Sequence, residues 1–180
     1  DRVERAAVCF ECERAPVRAG DGGAASSALT VEGSAASNLT AAVYARGGTG
    51  GYSDNTDGAS GDGGTADAAL VIADDTASVV FGTAQAYGGQ SGNYFGTGST
   101  DDAAGGDATA LADVTALAAP YAQAAATAQG GANSYNGDGQ GGDAVATARL
   151  DVTGVELIQL LDMPTIAAIC GVYISTSASE

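Results

Sequence analysis

The sequence predicts an all-β fold made of repeats of about 41 residues with two strands each, and three observations predict it. Pairs of glycines recur at a fixed spacing, apolar and polar residues alternate between them, and side-chain size falls from the middle of each unit toward its ends. A β-solenoid-like architecture is expected, with an antiparallel β-sandwich or jelly roll as the alternative. An extended N-terminal arm would precede the repeats and an apolar C-terminal strand would follow them.

Glycine pairs recur at 22/23, 47/48, 63/64, 88/89, 105/106, 130/131 and 141/142. The step from the first pair of a unit to its second is identical in all three complete units: Gly22 to Gly47, Gly63 to Gly88, and Gly105 to Gly130. A self-similar period of this kind points to a repeat architecture. The chain therefore divides into an arm (1–20), a repeat domain (21–153) and C-terminal capping or assembly strands (154–180). Within the repeat domain the units are 21–61, 62–104, 105–140 and a truncated 141–153.

Inside each unit the period is two. After the first glycine pair, alternate positions read Ala25, Ser27, Leu29, Val31; Ala66, Ala68, Leu70, Ile72; Ala108, Ala110, Ala112, Val114; and Ala144, Ala146, Ala148, Leu150. The second half of each unit gives Leu39, Ala41, Val43, Ala45; Val80, Gly82, Ala84, Ala86; and Ala122, Ala124, Ala126, Ala128. Polar residues fill most of the positions between, the signature of half-buried strands. Bulk lies near the turn in mid-unit and alanine lies beside the glycines, so two strands facing each other would enclose a wedge. Pro120 falls at the turn of the third unit, where it costs no ladder bond.

Residues 116–128 are alanine-rich enough to suggest helix. The matching segments of the first two units, SNLTAAVYA and SVVFGTAQA, carry residues that favour strands, so strand is preferred throughout. A solenoid is preferred to a sandwich because the variable loops fall at one equivalent corner. A core built largely of alanine would also be thin for the usual sheet spacing of about 10 Å.

The 180 residues carry 22 acids against 6 arginines, with no lysine or histidine, for a net charge of −16. That charge argues against nucleic acid and anionic membranes as partners. Arg2, Arg5, Arg14 and Arg18 lie in the arm beside four acids, so the arm is neutral and the rest of the chain bears the whole excess. The arm reads either as a mixed-charge tail or as a segment that docks on an acidic neighbouring copy. The start at Asp1, without methionine, suggests a mature product of signal cleavage. Near the other end, Ile166–Ile174 is apolar on both faces but spans only half of the roughly 20 residues a membrane helix needs. It reads as a strand buried on both sides, which either caps its own subunit or adds to a neighbour, with Ile166, Ile169, Val172 and Ile174 as its assembly contacts.

Three cysteines, Cys9, Cys12 and Cys170, sit only in the terminal segments, and the odd number suits disulfide cross-links within or between copies. The Cys-x-x-Cys spacing lacks both a thioredoxin-like context and the further ligands zinc requires. The loops between units are rich in aspartate and glycine, and such oxygens can hold calcium. DGQGGDAV, residues 138–145, resembles the calcium-binding nonapeptide of RTX β-rolls, with Asp138 where glycine is usual. If calcium binds, the candidate ligands are Asp138 and Asp143, then Asp101, Asp102 and Asp107, and Asp54, Asp57 and Asp62. The alternative is that these are solvated turns.

Catalysis finds no support. No histidine or lysine is available as a base, no aspartate differs from its repeat equivalents, and no glycine-rich stretch carries the lysine of a phosphate loop. Interrupted threonine rows, with Thr83 and Thr127 divided by Gln85 and Tyr44, speak against ice binding. In composition and in its GGDA repeats the chain resembles the broad group of repetitive Gly/Ala/Asp-rich secreted bacterial surface and fibre proteins. That resemblance implies a structural role and assigns no site. The expected function is a self-assembling subunit of an extracellular filament or cell-surface layer. Copies would join by sheet stacking and strand exchange, without an obligatory cofactor. A calcium-stabilised repeat module of a secreted adhesin is the alternative.

Overall fold

A computed structural model describes residues 19–53, 59–93, 102–133 and 139–152. Their regular elements are the strands β1 (Ala25–Glu32), β2 (Asn38–Arg46), β3 (Ala66–Asp74), β4 (Val79–Tyr87), β5 (Ala108–Ala116), β6 (Tyr121–Gln129) and β7 (Ala144–Asp151). The alanine-rich stretch that could pass for helix ends β5 and forms β6. β-branched and aromatic residues in the paired strand β4 override alanine's local preference.

Odd-numbered strands form one sheet in the order β1-β3-β5-β7, and even-numbered strands form a second in the order β2-β4-β6. Every pair is parallel and in register by repeat position: Ala25 lies beside Ala66, Ala66 beside Ala108, and Ala108 beside Ala144. In the second sheet Val43 lies beside Ala84 and Ala84 beside Ala126.

This arrangement corrects the expected class. In place of β-solenoid-like two-strand repeats, or of an antiparallel sandwich or jelly roll, the described residues form two wholly parallel sheets of unequal size. The two strands of a unit share no ladder, because each turns its apolar face toward the other and so lies in the opposite layer. Period-two alternation fixes which face of a strand is buried. It is the same whether the neighbour runs parallel or antiparallel, so the pairing had to come from the structure. Wholly parallel sheets usually need both faces covered by helices; here no helix occurs among the described residues, and the second sheet covers the inner face of the first.

The inner faces meet in a core that tapers. At its wide end Leu70, Ile72, Val80 and Val114 are fully buried, and each contributes about 1.5–3 kcal/mol by leaving water. Gly82 of β4 faces them; a Cβ there would lie 2.6 Å from Val114 Cγ2. Alanines then narrow the gap: Ala68, Ala84, Ala86, Ala108 and Ala110 are almost wholly buried. Beyond them the two layers meet at the glycine pairs.

Short turns carry the chain across the wide end. Gly33 takes the positive φ of 59° that the first turn requires. In the second turn the register position of Gly33 is taken by Asp74, whose buried carboxylate accepts hydrogen bonds from the Ser34, Thr76 and Ala77 amides at 2.8, 2.9 and 2.6 Å. The Thr76 hydroxyl donates to the Ser34 carbonyl, so two successive turns are tied together. The Ala77 amide bond does most to hold the Asp74 pKa below its ordinary value; burial opposes it, and the Thr76 and Ser34 amides add to the lowering.

Candidate functional site

Glycine pairs arise in the sequence where the wedge closes, and the geometry there shows why no other residue serves. Gly48 N–H donates to the Gly23 carbonyl, Gly64 to Gly48, Gly89 to Gly64 and Gly106 to Gly89, each at 2.8 Å. Gly131 donates to Gly106 at 2.8 Å and Gly142 to Gly131 at 2.9 Å. The bonds cross from one layer to the other at every step and form one column along the stack. A Cβ on Gly64, Gly89, Gly106 or Gly131 would lie 1.8–2.1 Å from a carbonyl oxygen of another glycine. The side chain is excluded because backbone already fills its place.

A shorter second column lies beyond the first. Gly51 N–H donates to Gly20, Gly61 to Gly51 and Gly92 to Gly61, at 2.7, 2.9 and 2.8 Å. Within each layer, bonds such as Gly63 N–H to the Ala104 carbonyl and Gly88 N–H to the Gln129 carbonyl, both 2.8 Å, continue the parallel stacking. Such a seam satisfies backbone groups that would otherwise be buried without partners, each net bond contributing about 1 kcal/mol. The peptide dipoles of the column point one way, with N–H groups toward the β1 end and carbonyls toward the β7 end, as in a helix.

Of the aspartates proposed as calcium ligands, Asp54, Asp57, Asp101 and Asp138 lie outside the described residues. The remaining four do not converge. Asp62 Oδ1 accepts the Ala104 amide at 2.9 Å, and Asp107 Oδ1 accepts the Asp143 amide at 2.8 Å. Asp21, absent from the calcium set, does the same for the Asp62 amide at 2.9 Å. These carboxylates clamp one unit to the next. Asp102 and Asp143 are exposed. Among the described residues no three His, Cys, Asp or Glu side chains group as a metal site would require. Also outside the described residues are the cross-linking candidates Cys9, Cys12 and Cys170, and the assembly candidates Arg2, Arg5, Arg14, Arg18, Ile166, Ile169, Val172 and Ile174.

The outer faces are mixed, with Val71, Phe81 and Val145 exposed among polar residues. Arg149 approaches Asp113 at 3.6 Å on the outside of the four-stranded sheet, an exposed pair worth little. On the other sheet the rings of Tyr44 and Tyr87 lie 5.5 Å apart beside a groove floored by Gly88 and Gly89. Tyr52, after the second glycine pair of the first unit, is exposed; its repeat counterparts Tyr94 and Tyr135 lie outside the described residues.

The two ends of the stack differ from its middle. β1 and β7 form the edges of the four-stranded sheet. Inward-facing Leu29 is 39% exposed although its register partner Leu70 is 0% exposed. Its even counterpart Leu39 is also only partly buried. The sequence placed Leu29 on the inner face and gave no sign that it would be uncovered, since that depends on which unit is last in the stack.

No helix of the described residues is long and apolar enough to cross a membrane. Comparison with known proteins gives no match: no family model fits the chain, nor does any curated protein or solved structure.

Proposed function

We propose that this chain is a structural subunit that assembles with copies of itself into an extracellular filament or surface layer. The observation that carries this reading is the open-ended stack: every unit joins the next by the same parallel register, and β1 and β7 each leave a ladder edge free among the described residues. An unpaired edge of this kind is a template for another strand. The core at the β1 end is also uncovered at Leu29. Burying it against another copy would remove apolar surface from water. A seam made of backbone and a core made mostly of alanine suit a load-bearing material and offer no arrangement of acid, base or nucleophile.

The test is negative-stain electron microscopy of the full chain at high concentration, with and without calcium. Uniform filaments or sheets in both conditions are expected. Particles that stay single in both would contradict the proposal, and particles that fold only with calcium would favour the adhesin module instead.

A further inference from the structure

Among the described residues, the first glycine of the column has no steric reason to be glycine. A Cβ on Gly64 would lie 2.1 Å from the Gly23 carbonyl oxygen, one on Gly106 would lie 2.0 Å from that of Gly64, and one on Gly142 would lie 2.0 Å from that of Gly106. Gly23 holds the same repeat position, yet a Cβ there meets no atom of the described residues within 4 Å. Its φ is not positive either, since Gly33 alone among the described glycines has that conformation. Following the series one step back, the atom that would exclude a side chain from Gly23 is the Gly142 carbonyl oxygen of another copy.

We infer that the four-stranded sheet continues from copy to copy, with β1 of a second copy pairing in parallel with β7, in the register that β7 keeps with β5. This joint rests on the self-assembly proposed above and specifies its contact. In that register Ala25 of the second copy lies beside Ala144 and Leu29 beside Ala148, as Leu70 lies beside Ala112 inside the stack. Half-buried Ala148 and exposed Leu29 then cover one another. The aspartate clamp extends in the same way. Asp107 accepts the amide of Asp143, its counterpart in the next unit. Exposed Asp143 is placed to accept the amide of Ala24, the equivalent residue of the second copy.

The faces that meet are different, so the contact is head-to-tail and does not close; repeated, it makes a fibre. The joint leaves one strand position vacant in the three-stranded sheet, beside β6, at the corner where the chain leaves β7. Pairing two β1 edges with each other would instead stop at a dimer and would bring no Gly142 carbonyl to Gly23.

The decisive variant is Gly23→Val, tested in the full chain by sedimentation and electron microscopy beside the unaltered protein, with circular dichroism and melting as controls of the fold. The side chain meets none of the described residues of its own copy and has no room at the joint. The expected result is an unchanged fold and at least a tenfold loss of assembled material. Leu29→Glu, at the same end, should have the same effect and decides the matter if Gly23→Val fails to fold. Assembly of both folded variants at the unaltered level would overturn the joint while leaving self-assembly standing. Failure of the unaltered chain to assemble would overturn both, and a variant-sensitive species that stops at the dimer would overturn the head-to-tail contact.

Discussion

The wide and narrow ends of the wedge hold the same stack together by different means. At the wide end Leu70, Ile72, Val80 and Val114 bury apolar surface, and Asp74 ties the turns above them. At the narrow end the two layers are joined by glycine backbone alone, and the carboxylates of Asp21, Asp62 and Asp107 clamp successive units beside it. The difference teaches where the fold is tolerant. A side-chain core can relax around a change of volume, whereas a backbone column has nothing to move except the strands themselves.

The largest effect is therefore expected in the seam. Gly106→Ala places a methyl group 2.0 Å from the Gly64 carbonyl oxygen and disturbs the bonds to Gly89 and Gly131. Overpacking and lost hydrogen bonds together should cost about 4 kcal/mol, read as a shift in the urea midpoint. Gly23→Ala, at the open end of the same column, should change stability by less than about 0.5 kcal/mol in the single copy. Equal losses at the two positions would remove the distinction between column interior and column end.

At the wide end, Leu70→Ala should cost about 3 kcal/mol through the cavity it leaves. Leu29→Ala, its register neighbour, should cost about 1 kcal/mol because much of that side chain is already in water. Gly82→Ala should cost about 1–2 kcal/mol by overpacking against Val114. Combined with Val114→Ala, which makes room for it, the double variant should lose less than the sum of the two, as a double-mutant cycle would show.

Asp74 gives a smaller, pH-dependent term. Its folded pKa lies below the ordinary aspartate value, so the unfolded chain takes up the proton first as the solution is acidified. The stability it contributes is complete above the unfolded value and fades as the pH falls through the folded one. Asp74→Asn should cost about 1–2 kcal/mol at neutral pH. The same variant should lose less than the unaltered chain between neutral pH and pH 3, measured by thermal melts across that range. An identical acid dependence would show that Asp74 carries no part of it.

Much of the inner face was legible in the sequence. Alternation placed Leu70, Ile72, Val114 and Val80 inward, and the spacing of glycine pairs located the ends of the strands. The pairing was not legible, because a strand with one apolar face satisfies a parallel and an antiparallel neighbour equally. The role of the glycines was only half legible. Their recurrence marked a boundary, but nothing local shows that a carbonyl one whole repeat away occupies the space of a side chain. The aspartates misled for a related reason. Asp62 and Asp107 sit in loops whose composition suits calcium, yet their oxygens meet amides of the following unit, a contact that exists only once the units are stacked.

Amide hydrogen exchange resolved at single glycines, on the chain kept dilute enough to remain a single copy, tests the backbone column most directly. The amides of Gly64, Gly89 and Gly106 should exchange as slowly as those in the middle of β3 and β5, and the amide of Gly23 should exchange as fast as an open loop. Rapid exchange at Gly64, Gly89 and Gly106 while β3 and β5 remain protected would contradict the account.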